Sequence, residues 1–274
     1  MTLSTLFRRQ IALPAEHGSW GFFLSPLLIG LFAGGRWSTV SFYLVIAALC
    51  AFLIRHPLTL IIKGYSGRRS RDILPAAWFW VGVYGALALV HVCGLVLRGY
   101  GYILYLAIPG IPVVLWHLFL ISRRAERRQL LLEVVACGAL ALGAPAAFWI
   151  GLERPDPIGW WLWALTWAQS TAAIVYAYLR LSQRPLARVP AWKTRLAMGR
   201  AALTLATFNL ALALVLGAGG VVSRWIFVPY ALQWAEVVWG SARPAVGLKP
   251  TAIGYRQLFV HTLFTVLFII AWAS

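Results

Sequence analysis

Four residues in the C-terminal third, Gln233, Glu236, Gly240 and Arg243, recur at steps of three and four. On a helix that spacing stacks them along one face. Gln169, Ala173, Tyr176 and Arg180 repeat the pattern, and Arg200, Thr204 and Thr207 line a third such face. Each set sits in or beside a long apolar run, where polar groups are costly and face a protein interior or a cavity. Glu236 is the most informative of them. An isolated carboxylate about two turns inside an apolar helix has to be paired or protonated. Arg243, Arg55 and Arg180 are its expected ion-pair partners. Its alternative roles are proton carrier, general base or ligand for a cationic group. Glu16 and His17, side by side at the start of the first apolar run, suit a helix-dipole partner and a proton relay. Glu236, His17 and Glu16 are therefore the candidate catalytic residues. His91, His117 and His261 stand alone on apolar runs and read as packing residues with a local hydrogen bond. No Gly-x-Ser-x-Gly elbow and no acid–base pair at helix spacing around a Ser or Cys supports nucleophilic catalysis.

The second chemistry is anion binding. The stretch FLIRHPLTLIIKGYSGRRSRD, Phe52 to Asp72, ends an apolar run on Arg-His-Pro and continues as a basic loop. The proline disfavours helix in the residue before it, so the helix is expected to stop there. Three other runs also finish on arginine, at Arg123, Arg180 with Arg184, and Arg243. A cation near a helix C-terminus meets a favourable dipole. If the hairpins circle a centre, these arginines ring a common opening, where guanidinium groups take phosphate or carboxylate in bidentate fashion. The ligand-binding candidates are Arg55, His56, Lys63, Arg123, Arg180, Arg184, Arg243, Gln169, Tyr176 and Gln233. Arg68, Arg69, Arg71, Arg127 and Arg128 read instead as exposed loop residues that set topology and touch anionic head groups.

The elements that must position these groups are membrane helices. The 274 residues are 61% hydrophobic and only 11% charged, against roughly 25% charged in soluble domains. About 20 apolar residues cross a bilayer as helix, and the tracts do not alternate as barrel strands do. The reading is an all-α, polytopic membrane protein of one helical domain with about nine transmembrane helices. They fall near 17–34, 38–54, 74–97, 100–121, 130–151, 158–179, 201–222, 225–242 and 257–273. The first follows Arg8-Arg9 but lacks a small-x-small cleavage site, so it reads as retained. With the N-terminus inside, 20 of the 24 Lys and Arg residues face the cytoplasm, leaving Arg36, Arg98, Arg154 and Arg224 outside. The C-terminus is then outside. Trp37, Trp149, Trp160, Trp161, Trp225 and Trp272 fit an outer interfacial belt. The net charge of +17 is thereby explained by topology, and no nucleic-acid partner is expected. The expected localisation is the bacterial cytoplasmic (inner) membrane. Cys50, Cys93 and Cys137 fall mid-run and read as packing residues, not disulfides or metal ligands.

Three short segments carry a family resemblance. Pro14-Ala15-Glu16-His17-Gly18-Ser19-Trp20, Arg55-His56-Pro57-Leu58 and Lys249-Pro250 followed by Ile253-Gly254 resemble motifs of YwiC-like bacterial membrane proteins, in the same order along the chain. The layout also resembles the UbiA class of intramembrane prenyltransferases. That resemblance implies a nine-helix bundle, an inside N-terminus and active-site loops after helices two and six. It would also imply aspartate-rich motifs holding Mg²⁺ against a prenyl pyrophosphate. This chain departs there, with Arg55, His56 and Lys63 in one loop and Arg180, Arg184 and Arg188 in the other. Mg²⁺ needs carboxylate or phosphate oxygens, and the nearby acids are only Asp72, Glu16 and Glu236, so no metal site is expected. Three functions stay open. One is a cytoplasm-facing, Arg/His-lined cavity that binds, with or without processing it, an anionic amphiphile such as an isoprenoid or phosphate- or carboxylate-bearing lipid. The second is a non-catalytic accessory subunit of a respiratory or photosynthetic membrane complex. The third, an anion transporter, fits less well, because the hairpin repeats run in the same sense and the helices break mainly at their cytoplasmic ends.

Overall fold

The computed structural model describes residues 7–14, 17–124 and 130–274, with His17 described by its backbone alone. The described residues are helical, with no strand among them. A short α1 (Arg9–Ala12) precedes α2 (His17–Ala33), α3 (Thr39–Tyr65) and α4 (Leu74–Leu97). Next come α5 (Leu104–Ala107) and α6 (Gly110–Ser122), parted at Ile108-Pro109, then α7 (Leu130–Ala141) and α8 (Gly143–Leu152), parted at Leu142. The chain ends with α9 (Ile158–Gln183), α10 (Trp192–Ala218), α11 (Phe227–Ala242) and α12 (Pro250–Ala273).

Six helical runs are long and apolar enough to cross a membrane: Thr39–Tyr65, Arg71–Leu97, Gly101–Ser122, Leu130–Leu152, Trp192–Ala218 and Pro250–Ala273. Gly18–Ala33 is apolar but shorter. α9 and α11 fall outside this set. The packing explains the polarity of α9, which touches α2, α7, α8, α10, α11 and α12. A helix walled in by six others need not present an apolar surface to lipid. Leu162 and Leu165 lie on it with Thr166, Gln169, Ser170, Arg180 and Gln183, all buried.

The crossing of α2 and α8 shows why small residues recur there. A Cβ added at Gly30 would stand 2.2 Å from the Ala144 carbonyl oxygen. Close backbone approach through small residues is how membrane helices gain contact when lipid is as apolar as the side chains.

α3 corrects one expectation. The helix does not stop at Arg55-His56-Pro57 but runs through the proline to Tyr65. Pro57 removes one backbone donor, yet it is buried, and Thr59 Oγ1 bonds back to the Arg55 carbonyl at 2.9 Å. The apolar turn beyond it has a reason to continue. Leu60 and Ile61 pack with Ile11, Ala76 and Ala77 in a small cluster against α1 and α4. A turn at Gly67, whose φ of +70° suits glycine, closes the helix after Tyr65, and the Arg68 and Arg69 amides return to the Lys63 carbonyl.

Candidate functional site

The polar faces of α9 and α11 meet as rungs. Gln233 Nε2 donates to the Gln169 carbonyl at 3.0 Å. Tyr176 Oη donates to Glu236 Oε1 at 2.9 Å. At the last rung, Arg180 Nη1 donates to the Gly240 carbonyl at 2.8 Å, the Arg243 carbonyl at 2.6 Å and Gln183 Oε1 at 3.1 Å. The same Gln183 oxygen accepts the Ala245 amide. Arg195 of α10 adds a bond to the Ala242 carbonyl. Two arginines thus cap the C-terminus of α11, satisfying carbonyls that a helix end leaves without partners. Gly240 makes the fit possible, since a Cβ there would lie 2.0 Å from Tyr176 Oη.

α12 supplies the partner of Glu236. Arg256 grips the carboxylate with Nε to Oε1 and Nη2 to Oε2, both at 2.7 Å. Its guanidinium lies 3.6 Å from the centre of the Trp239 ring, a stacked cation–π arrangement. Deeper in, His261 Nε2 lies 3.1 Å from the Gly21 carbonyl and Nδ1 lies 3.1 Å from Gln169 Nε2. A carbonyl only accepts, so Nε2 carries the proton and Nδ1 takes the amide hydrogen.

These groups line a cavity of about 280 Å³, with Tyr176, Arg180, Glu236, Trp239, Leu248 and Arg256 among its walls. An inner chamber of about 30 Å³ continues from it past Tyr176, Glu236 and Gln257, and is lined also by Gln169, Gln233, His261 and Phe264. Glu236 is the only acid among the described residues of either wall, against Arg180 and Arg256. The site therefore carries one surplus positive charge beside an apolar wall of Leu248, Ala252 and Ile253. A magnesium ion does not fit these residues. It demands several hard oxygens, and the one carboxylate is already held by Arg256 and Tyr176.

Of the residues singled out from sequence, Gln169, Tyr176, Arg180, Gln233 and Glu236 are brought together here. Arg184 borders the group, its Nε donating to the carbonyl of the wall residue Leu248 at 2.7 Å. Arg243 contributes its carbonyl to Arg180. Arg55, His56, Lys63 and Arg123 line neither space. Arg55 lies over the Phe52 ring, His56 Nε2 contacts the Gln10 carbonyl at 3.0 Å, Lys63 is in the last turn of α3, and Arg123 lies over Phe119. Glu16, the His17 side chain, Arg127 and Arg128 lie outside the described residues. The expected partners of Glu236, Arg243, Arg55 and Arg180, give way to Arg256. That arginine went unread because the last helix was expected to start at residue 257; Trp239 and Gln257 fell inside expected spans, where nothing in their spacing set them apart. Pro250 was the available signal, as proline favours the first helical position, and counting from it places Arg256 well inside α12.

The helices and their apolar surfaces define an all-α, multi-pass integral membrane protein. A family model described as "YwiC-like protein" matches residues 13–148, about half of the chain, and the chain belongs to the YwiC-like family. It is similar to "Uncharacterized protein YwiC" of Bacillus subtilis (strain 168), 25% identical over 154 residues, which cover 55% of this chain and 59% of that protein. The match thus spans less than two thirds of that relative's length. No solved structure matches the chain. The cavity, built from residues 169–264, lies C-terminal to the segment that the family model matches.

Proposed function

We propose that the α9–α11–α12 cavity binds an anionic amphiphile, its head at Arg180 and Arg256 and its chain along Leu248, Ala252 and Ile253. The observation that carries this reading is the charge imbalance: two arginines, Arg180 and Arg256, line the cavity against the single carboxylate of Glu236. Arg256 is held ready, stacked on Trp239, and Glu236 occupies its bidentate edge until a phosphate or carboxylate competes for it. In the same reading the chain crosses a bacterial inner membrane about nine times with its N-terminus in the cytoplasm, in a UbiA-like layout. The cavity then opens at the cytoplasmic leaflet, where anionic head groups are at hand.

The test is lipid retention. The purified protein is placed in nanodiscs of mixed phosphatidylglycerol and phosphatidylcholine, released, and weighed by native mass spectrometry. Wild type is expected to keep phosphatidylglycerol in preference. Arg256→Ala is expected to lose that preference by roughly tenfold or more, the worth of one charge-assisted hydrogen bond. Glu236→Gln should strengthen it, because a competing anion is gone. Equal retention of the two lipids by wild type, or an unchanged preference in Arg256→Ala, overturns the proposal.

A further inference from the structure

The inner chamber holds two polar groups that the protein itself leaves unmet. Gln233 is 5% exposed, and its Nε2 is committed to the Gln169 carbonyl. A carbonyl accepts only, so the amide cannot be turned the other way. Its Oε1 is buried and has no hydrogen-bond partner among the described residues. Gln257 Nε2, on the neighbouring helix, is likewise buried and unpartnered. Both residues line the same small chamber. Gln233 Oε1 is fixed as an acceptor, and the Gln257 amide, which no hydrogen bond among the described residues holds the other way, presents Nε2 as a donor. Burying an amide group without a partner is costly, so two in one chamber point to a visitor that supplies both hydrogen bonds.

Resting on the reading above, we infer that the inner chamber is a subsite for a hydroxyl carried by the same anionic head group. A hydroxyl is the smallest group that gives one hydrogen bond and takes another. It donates to Gln233 Oε1 and accepts from Gln257 Nε2. The chamber has the right size, since about 30 Å³ exceeds the ~10–15 Å³ that one water-sized group requires. Its place is right too. Tyr176, Glu236 and Gln257 belong to both walls, so a head group gripped at Arg256 need only extend past Glu236 to reach it. The ligand class is narrowed to anionic amphiphiles with a hydroxyl beyond the anion, of the polyol phosphodiester kind.

The experiment compares two lipids that differ in that feature alone. Nanodiscs contain equal dioleoylphosphatidylglycerol and dioleoylphosphatidylmethanol in a phosphatidylcholine background. Both test lipids carry one phosphodiester charge, and only the first carries hydroxyls. Wild type is expected to retain phosphatidylglycerol roughly tenfold over phosphatidylmethanol, as two ordinary hydrogen bonds provide. Gln233→Leu and, independently, Gln257→Leu are each expected to lower that ratio to about threefold, and the double variant to bring it near one. Equal retention of the two anionic lipids by wild type, both above phosphatidylcholine, means that the chamber takes water only; this inference then falls and the anion site stands. Retention of all three lipids alike overturns both.

Discussion

Arg180 offers the sharpest test of whether the bundle is pinned as its geometry implies. It is 3% exposed, and its Nη1 reaches three acceptors, the Gly240 and Arg243 carbonyls and Gln183 Oε1. Arg180→Met keeps the length and apolar stem but removes all three bonds. Hydrogen bonds from a charged donor contribute about 1.5–3 kcal/mol each. Gln183 Oε1 keeps the Ala245 amide, and the variant no longer buries a guanidinium, which offsets part of the loss. The net expectation is about 3 kcal/mol, or a fall in melting temperature of roughly 6–12 °C for a chain of this size. Thiol labelling reads it directly, because Cys50 and Cys137 are buried and Cys93 is exposed. In a Cys93→Ser background, a thiol-reactive dye reports only unfolding. Arg55→Met is the control. Arg55 is half-buried and rests on Phe52 without an ion pair among the described residues, so its loss should cost no more than about 0.5–1 kcal/mol. If Arg180→Met melts no lower than Arg55→Met, Arg180 does not cap α11, and the account of the site's frame fails with it.

Two substitutions probe the close approaches. Gly240→Ala drives a methyl into Tyr176. It should destabilise by about 1–3 kcal/mol as overpacking and be partly rescued by Tyr176→Phe, which removes the nearest atom; absence of rescue in the dye-labelling melt refutes the contact. Gly30→Ala meets the Ala144 backbone, which cannot swing aside. It should cost about 3 kcal/mol or more and appear as loss of the monodisperse peak in size-exclusion chromatography, whereas Gly18→Ala, with open space around it, should not.

Much of the site was legible because helical periodicity survives in apolar sequence. Gln169, Tyr176 and Arg180 on one element, and Gln233 and Glu236 on another, share faces by spacing alone, and those faces meet. Two kinds of information were hidden. One is where a membrane helix ends. A proline near a run of arginines reads as a stop, yet α3 continues because Leu60 and Ile61 have a packing partner beyond the proline. Tertiary burial outweighs a local steric preference there, and the same uncertainty at the other end of the chain hid Arg256. The second is pairing across elements. Nothing in the spacing tells Glu236 that its partner stands twenty residues on, across a loop, and not seven residues on along its own helix.

The arginines make the deeper point. A count of Lys and Arg per loop treats all as equivalent, since each is an equal charge at a helix end. Burial separates them. Arg180 is enclosed and must answer to carbonyls, while Arg184, bonded to the Leu248 carbonyl, is only half-buried. Polar residues on a helix facing lipid would be expelled by their cost. α9 tolerates them because six other helices surround it, and it falls outside the six runs apolar enough to span alone. Low hydropathy in a helix at the centre of a membrane bundle is therefore a positional signal. It marks the element whose side chains are free to be polar, and here that element carries one wall of the cavity.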